Sequence, residues 1–198
     1  MPTMQDCDLH RVELCRRRAM LGAAMALAPW LIFPARAQNQ ANDPTSAPPQ
    51  PGDRLIFLAG PKKGKPIRSD ELELGGPQAQ AYPADPNGTV RDGTRLNLVI
   101  AVRVGSDGLN EETRERSADG VVAYSGVCTH QACPVSMWSK DKKAMVCSCH
   151  GSTYDPKDGA EVIFGPAPQP LAALPLKSEN GLLIVAGGFV GRVGRQSN

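Results

Sequence analysis

The apolar residues of this chain come in short runs separated by turn-forming residues. The clearest alternation covers residues 96–104, where Leu96, Leu98, Ile100, Val102 and Val104 fall on one face of a predicted strand. Gly105, Ser106, Asp107 and Gly108 then turn the chain. Residues 54–58 predict the strand that opens the folded body. Residues 121–124, 145–146, 162–164 and 182–185 predict further short strands. Residues 60–95 mix Gly, Pro and charge without periodicity and are expected mostly as loop. Residues 109–120 are charged and are expected as a solvated loop or short helix. With 20 Gly and 18 Pro among 198 residues, turns and short strands are favoured over long helices. The length suits one modest domain plus a leader.

One longer apolar run stands apart, from residue 19 to residue 33. Arg16, Arg17 and Arg18 precede it, and Ala35-Arg36-Ala37 follows it. That order matches a signal peptide, and the adjacent arginines match a twin-arginine signal. A spanning helix wants ~20 apolar residues, and this run is shorter and contains Pro29. Residues 1–37 are therefore expected to be a twin-arginine-type signal peptide, with a retained anchor as the alternative. Residues 38–53 are polar and Pro-rich and are expected as a disordered or extended linker. The folded domain is then expected over 54–191.

Charge excludes one class of partner. The formal net charge is +2, and residues 1–37 hold five basic and three acidic side chains, so the remainder is balanced. A neutral body carries no nucleic-acid footprint. The candidate chemistry lies elsewhere. Of three histidines and six cysteines, His130, His150, Cys128, Cys133, Cys147 and Cys149 all fall within residues 128–150. They form two clusters, Cys128-Thr129-His130-Gln131-Ala132-Cys133 and Cys147-Ser148-Cys149-His150-Gly151-Ser152. Each offers one thiol and one imidazole at close spacing, plus an extra cysteine.

Two such loops resemble the Rieske iron–sulfur family, most closely the iron–sulfur subunit of cytochrome bc complexes. The resemblance is specific over residues 120–188, with the cluster-binding part at about 126–170. It implies an all-β fold, an antiparallel β-sandwich carrying a small cluster-binding subdomain. It implies one 2Fe–2S cluster with Cys128 and Cys147 on one iron and His130 and His150 on the other. Cys133 and Cys149 match the family's disulfide, a bond suited to an oxidising compartment. Ser152 and Tyr154 match hydroxyl donors that tune the cluster. Gly165, Pro166, Ala167 and Pro168 match the proline loop that covers it.

The mixed ligand set has an electrostatic consequence. Two ferric ions, two sulfides and two thiolates sum to neutrality, whereas four thiolates would leave the site doubly negative. An electron enters a neutral site more easily, and such centres span about −150 to +300 mV. Zinc accepts the same four ligands. It would leave Cys133 and Cys149 without a role, and a ligand pair separated by one residue is unusual for it. Disulfides alone would not call for the histidines.

The resemblance implies a high-potential electron-transfer protein at the bacterial periplasm or the periplasmic face of the inner membrane. It would take electrons from quinol beside a cytochrome b-type subunit and pass them to a c-type cytochrome. Gln131 and Ala132 depart from the Leu and Gly frequent in that family, at the tip where a donor would dock. A soluble periplasmic carrier, or the small subunit of another oxidoreductase such as an arsenite-oxidase-like enzyme, is the alternative. A Rieske oxygenase is excluded by counting, because its mononuclear iron needs two more histidines and only His10 remains. The chain is thus expected to catalyse no bond-making reaction alone.

Overall fold

The computed structural model of the protein describes residues 43–195. The expected leader at 1–37, with His10, Cys7 and Cys15, lies outside the described residues. Two antiparallel sheets organise the rest. Strands β1 (Arg54–Phe57), β2 (Ala79–Ala84), β3 (Val99–Arg103), β4 (Val121–Ser125), β9 (Leu176–Glu179) and β10 (Leu182–Val185) form a six-stranded sheet in the order β4-β3-β2-β1-β10-β9. Strands β5 (Val135–Ser139), β6 (Ala144–Cys147), β7 (Thr153–Asp155) and β8 (Glu161–Phe164) form a four-stranded meander. The small sheet is an insertion between β4 and β9. The expected all-β antiparallel architecture with a small subdomain is what the chain forms.

The predicted strand over 96–104 is shorter than expected and has no polar face. Residues Arg95–Asn97 form a 3₁₀ turn, and Leu96 is 47% exposed. From Val99 onward both faces are buried, because β3 is an inner strand between two cores. Ile100 and Val102 pack with Val122, Tyr124, Val135, Met145 and Tyr154, which joins the large sheet to the small one. Val99 and Ala101 pack with Leu55, Ala81, Val121, Leu174 and Leu183 on the other side. A doubly buried strand reads as a continuous apolar run. The stretch 60–95, expected as loop, contains β2, whose sequence AQAYPA lacks alternation and whose place is set by pairing with β1 and β3. The charged stretch after β3 forms the one-turn helix α1 (Glu111–Glu115), capped by the Asn110 side chain accepting from the Thr113 amide at 2.7 Å.

The described part of the expected linker, residues 43–53, is not free. Asp53 and Arg91 form a two-contact ion pair at 2.6 and 3.0 Å, with side chains only 2% and 8% exposed. Arg91 also donates to the Pro44 carbonyl at 3.2 Å, and the Asn97 amide donates to the Ala47 carbonyl at 2.8 Å. Within the stretch expected as a disordered or extended linker, Pro44, Ala47 and Asp53 are thus hydrogen-bonded to the body. Prolines in that stretch remove donors that would otherwise need partners.

Removing one member of a buried pair strands the other charge, at a cost of about 3–5 kcal/mol. Asp53→Ala should therefore lower the unfolding free energy by roughly that much in denaturant titration of the full chain. Lys177→Ala, which breaks a pair whose two side chains are about half exposed, should cost less than about 1 kcal/mol. Equal losses would contradict the fastening role of Asp53.

Candidate metal centre

Three loops at one end of the small sheet meet: the β4–β5 loop, the β6–β7 loop and the segment after β8. The first two are built alike. The Cys128 amide donates to the Cys133 carbonyl at 2.8 Å, and the Cys147 amide donates to the Ser152 carbonyl at 2.8 Å. The Ala132 amide returns to Cys128 at 2.9 Å, and the Gly151 amide returns to Cys147 at 3.1 Å. Both returning residues are left-handed, Ala132 at φ 55° and Gly151 at φ 71°. Each loop is thus a tight turn closed on its first cysteine. Their common backbone is not visible in the spacing, because the histidine comes two residues after Cys128 but three after Cys147.

These turns bring the predicted ligands together in pairs, Cys128 with Cys147 and His130 with His150. Cys128 and Cys147 are free thiols, each 1% exposed. The His130 and His150 rings lie edge to face with centroids 4.7 Å apart. The Cys133–Cys149 disulfide, implied by the family resemblance, joins the two loops. The sulfurs of Cys133, Cys147 and Cys149 lie within 4.8 Å of one another. Two of those sulfurs are bonded together, so this trio is not a thiolate ligand set.

The chemistry of the donors fits an iron–sulfur group. His130 Nδ1 is buried without a hydrogen-bond partner, and a buried polar atom of that kind is costly unless something binds it. Burial pushes the Cys147 thiol up from its ordinary pKa, and neighbouring Cys128 adds to the rise. The amides of Cys149 and His150 point at its sulfur and pull the other way. Those amides would favour a thiolate, the form that binds metal.

Around the donors, the expected hydroxyls are in reach. Tyr154 is fully buried, and its hydroxyl lies 3.1 Å from Cys128 Sγ. Burial, reinforced by Cys128, raises the phenol well above its ordinary pKa, so it keeps its proton for donation. Ser152 is also fully buried, and its Oγ accepts from the Ala167 amide at 3.2 Å. That leaves the hydroxyl proton of Ser152 free for another acceptor. The bond ties the second loop to the proline loop. Ala167 is buried, while Pro166 and Pro168 are exposed. Gly165 is required there, because a Cβ on it would sit 2.6 Å from the Ser152 backbone.

Sequence reasoning missed two supporting residues. Thr129, between two predicted ligands, donates from Oγ1 to the Gln169 carbonyl at 2.7 Å and ties the first loop to the proline loop. Gly126 lets the first loop leave β4, since a Cβ there would meet Leu98 at 2.6 Å. Neither has a signal in spacing or composition, because each depends on a neighbour distant in sequence.

Comparison with known proteins agrees with this geometry. Residues 84–175 match the Rieske [2Fe-2S] domain. A Streptomyces lividans protein named as a cytochrome bc1 complex Rieske iron–sulfur subunit is 39% identical over 98 residues, covering 48% of this chain and 58% of that protein. A Haloferax mediterranei protein named for the Rieske subunit of a respiratory nitrate reductase is 39% identical over 106 residues, covering 52% of this chain and 47% of that protein. The chain thus spans about half the length of such relatives. The solved plasma membrane Rieske protein of Synechocystis aligns with a TM-score of 0.37 at 24% identity, over 55% of this chain and 84% of that one.

The disulfide closes 16 residues of chain, for which loss of the cross-link costs about 3 kcal/mol. The double substitution Cys133→Ala/Cys149→Ala should lower the unfolding free energy by about that amount in chemical denaturation. An unchanged midpoint and slope would mean the loops are held by other contacts alone.

Proposed function

Since residues 84–175 form a Rieske 2Fe–2S domain of an electron-transfer protein, we propose that Cys128 and Cys147 hold one iron of the cluster and His130 and His150 the other. The observation that carries this is a pair of buried free thiols, one on each loop, together with a buried imidazole nitrogen that has no hydrogen-bond partner. His130 would bind through Nδ1, the ring nitrogen that is buried without a partner. When bound, the cluster supplies a site that takes up and releases one electron. The residues do the rest. Tyr154 donates its hydroxyl proton to Cys128 Sγ, and the Ser152 hydroxyl has a proton to give. Both donors favour the more negative, reduced state and so raise the potential. The proline loop, Gly165 to Pro168, and the disulfide keep water from the buried sulfurs. His150 is exposed and accessible to a partner.

The function that follows is a high-potential carrier in a bc-type complex, at the periplasmic face of the bacterial inner membrane. Electrons arrive from quinol beside a cytochrome b-type subunit and leave to a c-type cytochrome. The name of the Streptomyces relative supports this assignment. The second reading, a carrier or small subunit for another periplasmic oxidoreductase, is supported by the name of the Haloferax relative. Either way the chain is the electron-transfer component and its partners define the reaction. Among the described residues no helix is long and apolar enough to cross a membrane. Whether residues 1–37 act as cleaved signal or anchor therefore bears directly on the choice. Firm membrane retention after a salt wash, with co-purification of b- and c-type haem, favours the first reading. Release by salt favours the second.

Electron paramagnetic resonance before and after ascorbate tests the high potential. A rhombic 2Fe–2S signal should appear with ascorbate. A signal only with dithionite would contradict the tuning roles of Ser152 and Tyr154, and silence with both would favour zinc. Tyr154→Phe removes one hydrogen bond to Cys128, worth ~1 kcal/mol. For one electron that lowers the midpoint potential by about 40 mV, read by redox titration. An unchanged potential would remove Tyr154 from the tuning set.

A further inference from the structure

Cys133, Cys147 and Cys149 place three sulfur atoms within 4.8 Å of one another. Two are joined as a disulfide and the third is a free thiol. A thiol beside a disulfide is the reactant pair of thiol–disulfide exchange. Both loops are already closed by their own backbone hydrogen bonds, so the encounter is intramolecular and needs no further ordering of the chain. We infer that this chain, when it carries no metal, isomerises its own disulfide: Cys147 takes Cys133 from Cys149.

The step balances without an external oxidant or reductant. The Cys147 thiol gives its proton to solvent, and its sulfur bonds to the Cys133 sulfur. The Cys133–Cys149 bond breaks, and the released Cys149 sulfur takes up a proton. Exposure sets the direction of attack. Cys149 is exposed and Cys133 is half-buried, so the sulfur expelled from Cys149 is hydrated as it leaves. Attack on Cys149 instead would close a ring spanning only Ser148, which disulfide geometry disfavours. The Cys133–Cys147 product closes a loop of nearly the same length as the original, so chain entropy does not oppose it. It also replaces a buried thiol with a neutral, apolar bond.

The consequence concerns loading, and here the inference rests on the ligand set proposed above. The exchanged isomer uses a sulfur that the cluster needs. Metal on Cys147 would occupy that sulfur and preserve the Cys133–Cys149 pairing. A chain that meets an oxidising compartment before loading therefore loses part of its ligand set, and the site is kept intact only by being filled first.

The test uses the full-length protein purified with its iron, in a Cys7→Ser/Cys15→Ser background. Half is stripped of iron by a chelator without reductant. Free thiols in both halves are capped with iodoacetamide after an acid quench, and disulfides are assigned by tandem mass spectrometry. Capping of Cys149 should rise at least about tenfold on stripping, capping of Cys147 should fall to match, and the Cys133–Cys147 linkage should appear. In the Cys147→Ser variant, which needs only to form its disulfide, Cys149 should stay uncapped. The inference is overturned if Cys149 remains bonded to Cys133 while Cys147 is fully capped. It is equally overturned if Cys147→Ser frees Cys149 to the same extent. Isomerisation in the iron-loaded half as fast as in the stripped half would leave the exchange standing and remove Cys147 from the ligand set.

Discussion

The burial of its donor atoms is the constraint on which the rest of this structure depends. Two thiols and an imidazole nitrogen are drawn out of water into one small region. Such groups cost free energy unless they bind something. The fold supplies the means of holding them there. Each cysteine-containing loop is a tight turn closed on its own first residue, and the disulfide joins one turn to the other. Thr129 and Ser152 then fasten both turns to the proline loop. The donors stay together because three loops restrain one another, not because any single loop is rigid.

The two sheets divide the labour. The large sheet has cores on both faces, and its inner strand β3 contributes to each. The small sheet rests one face on the core it shares with the large sheet, through Val135, Met145 and Tyr154. Tyr154 links the two roles. Its ring is part of that core, and its hydroxyl reaches Cys128. A side chain locked by packing presents its donor at a fixed distance, which limits reorganisation when charge arrives at the site. The exposed side of the site is different in kind. His150 and the neighbouring loop tip are exposed, whereas Cys128, Cys147, Ser152 and Tyr154 are buried.

How much of this the sequence disclosed follows from the range of the interactions involved. The proposed ligands and the disulfide cysteines stood out in the sequence because their spacing is local and their residue types are rare in this chain. Strands β1, β4, β6, β8 and β10 were legible as short apolar runs. Strand β3 was placed, but the alternation through Leu96 suggested a polar face that burial on both sides removes. Strand β2 was missed because AQAYPA carries no pattern and is held by its neighbours on either side. Strand β7 has only three residues, too few to show periodicity. The strap at 43–53 read as linker from its composition, and its docking depends on Asp53 finding Arg91 across 38 residues. Gly126 and Thr129 escaped for the same reason.

The central claim is that two histidines and two cysteines of these loops share one cluster. The chain has only three histidines, and His10 lies far from the site in sequence, so nitrogen labelling is unusually direct. The full-length protein, grown with ¹⁵N-histidine and reduced, should show two strongly coupled ¹⁵N nuclei by electron–nuclear double resonance at the 2Fe–2S signal. His150→Ala, where any cluster survives, should leave at most one. A reduced 2Fe–2S signal without strong histidine nitrogen coupling would contradict the account, because the electron would then reside on a site held by cysteine alone.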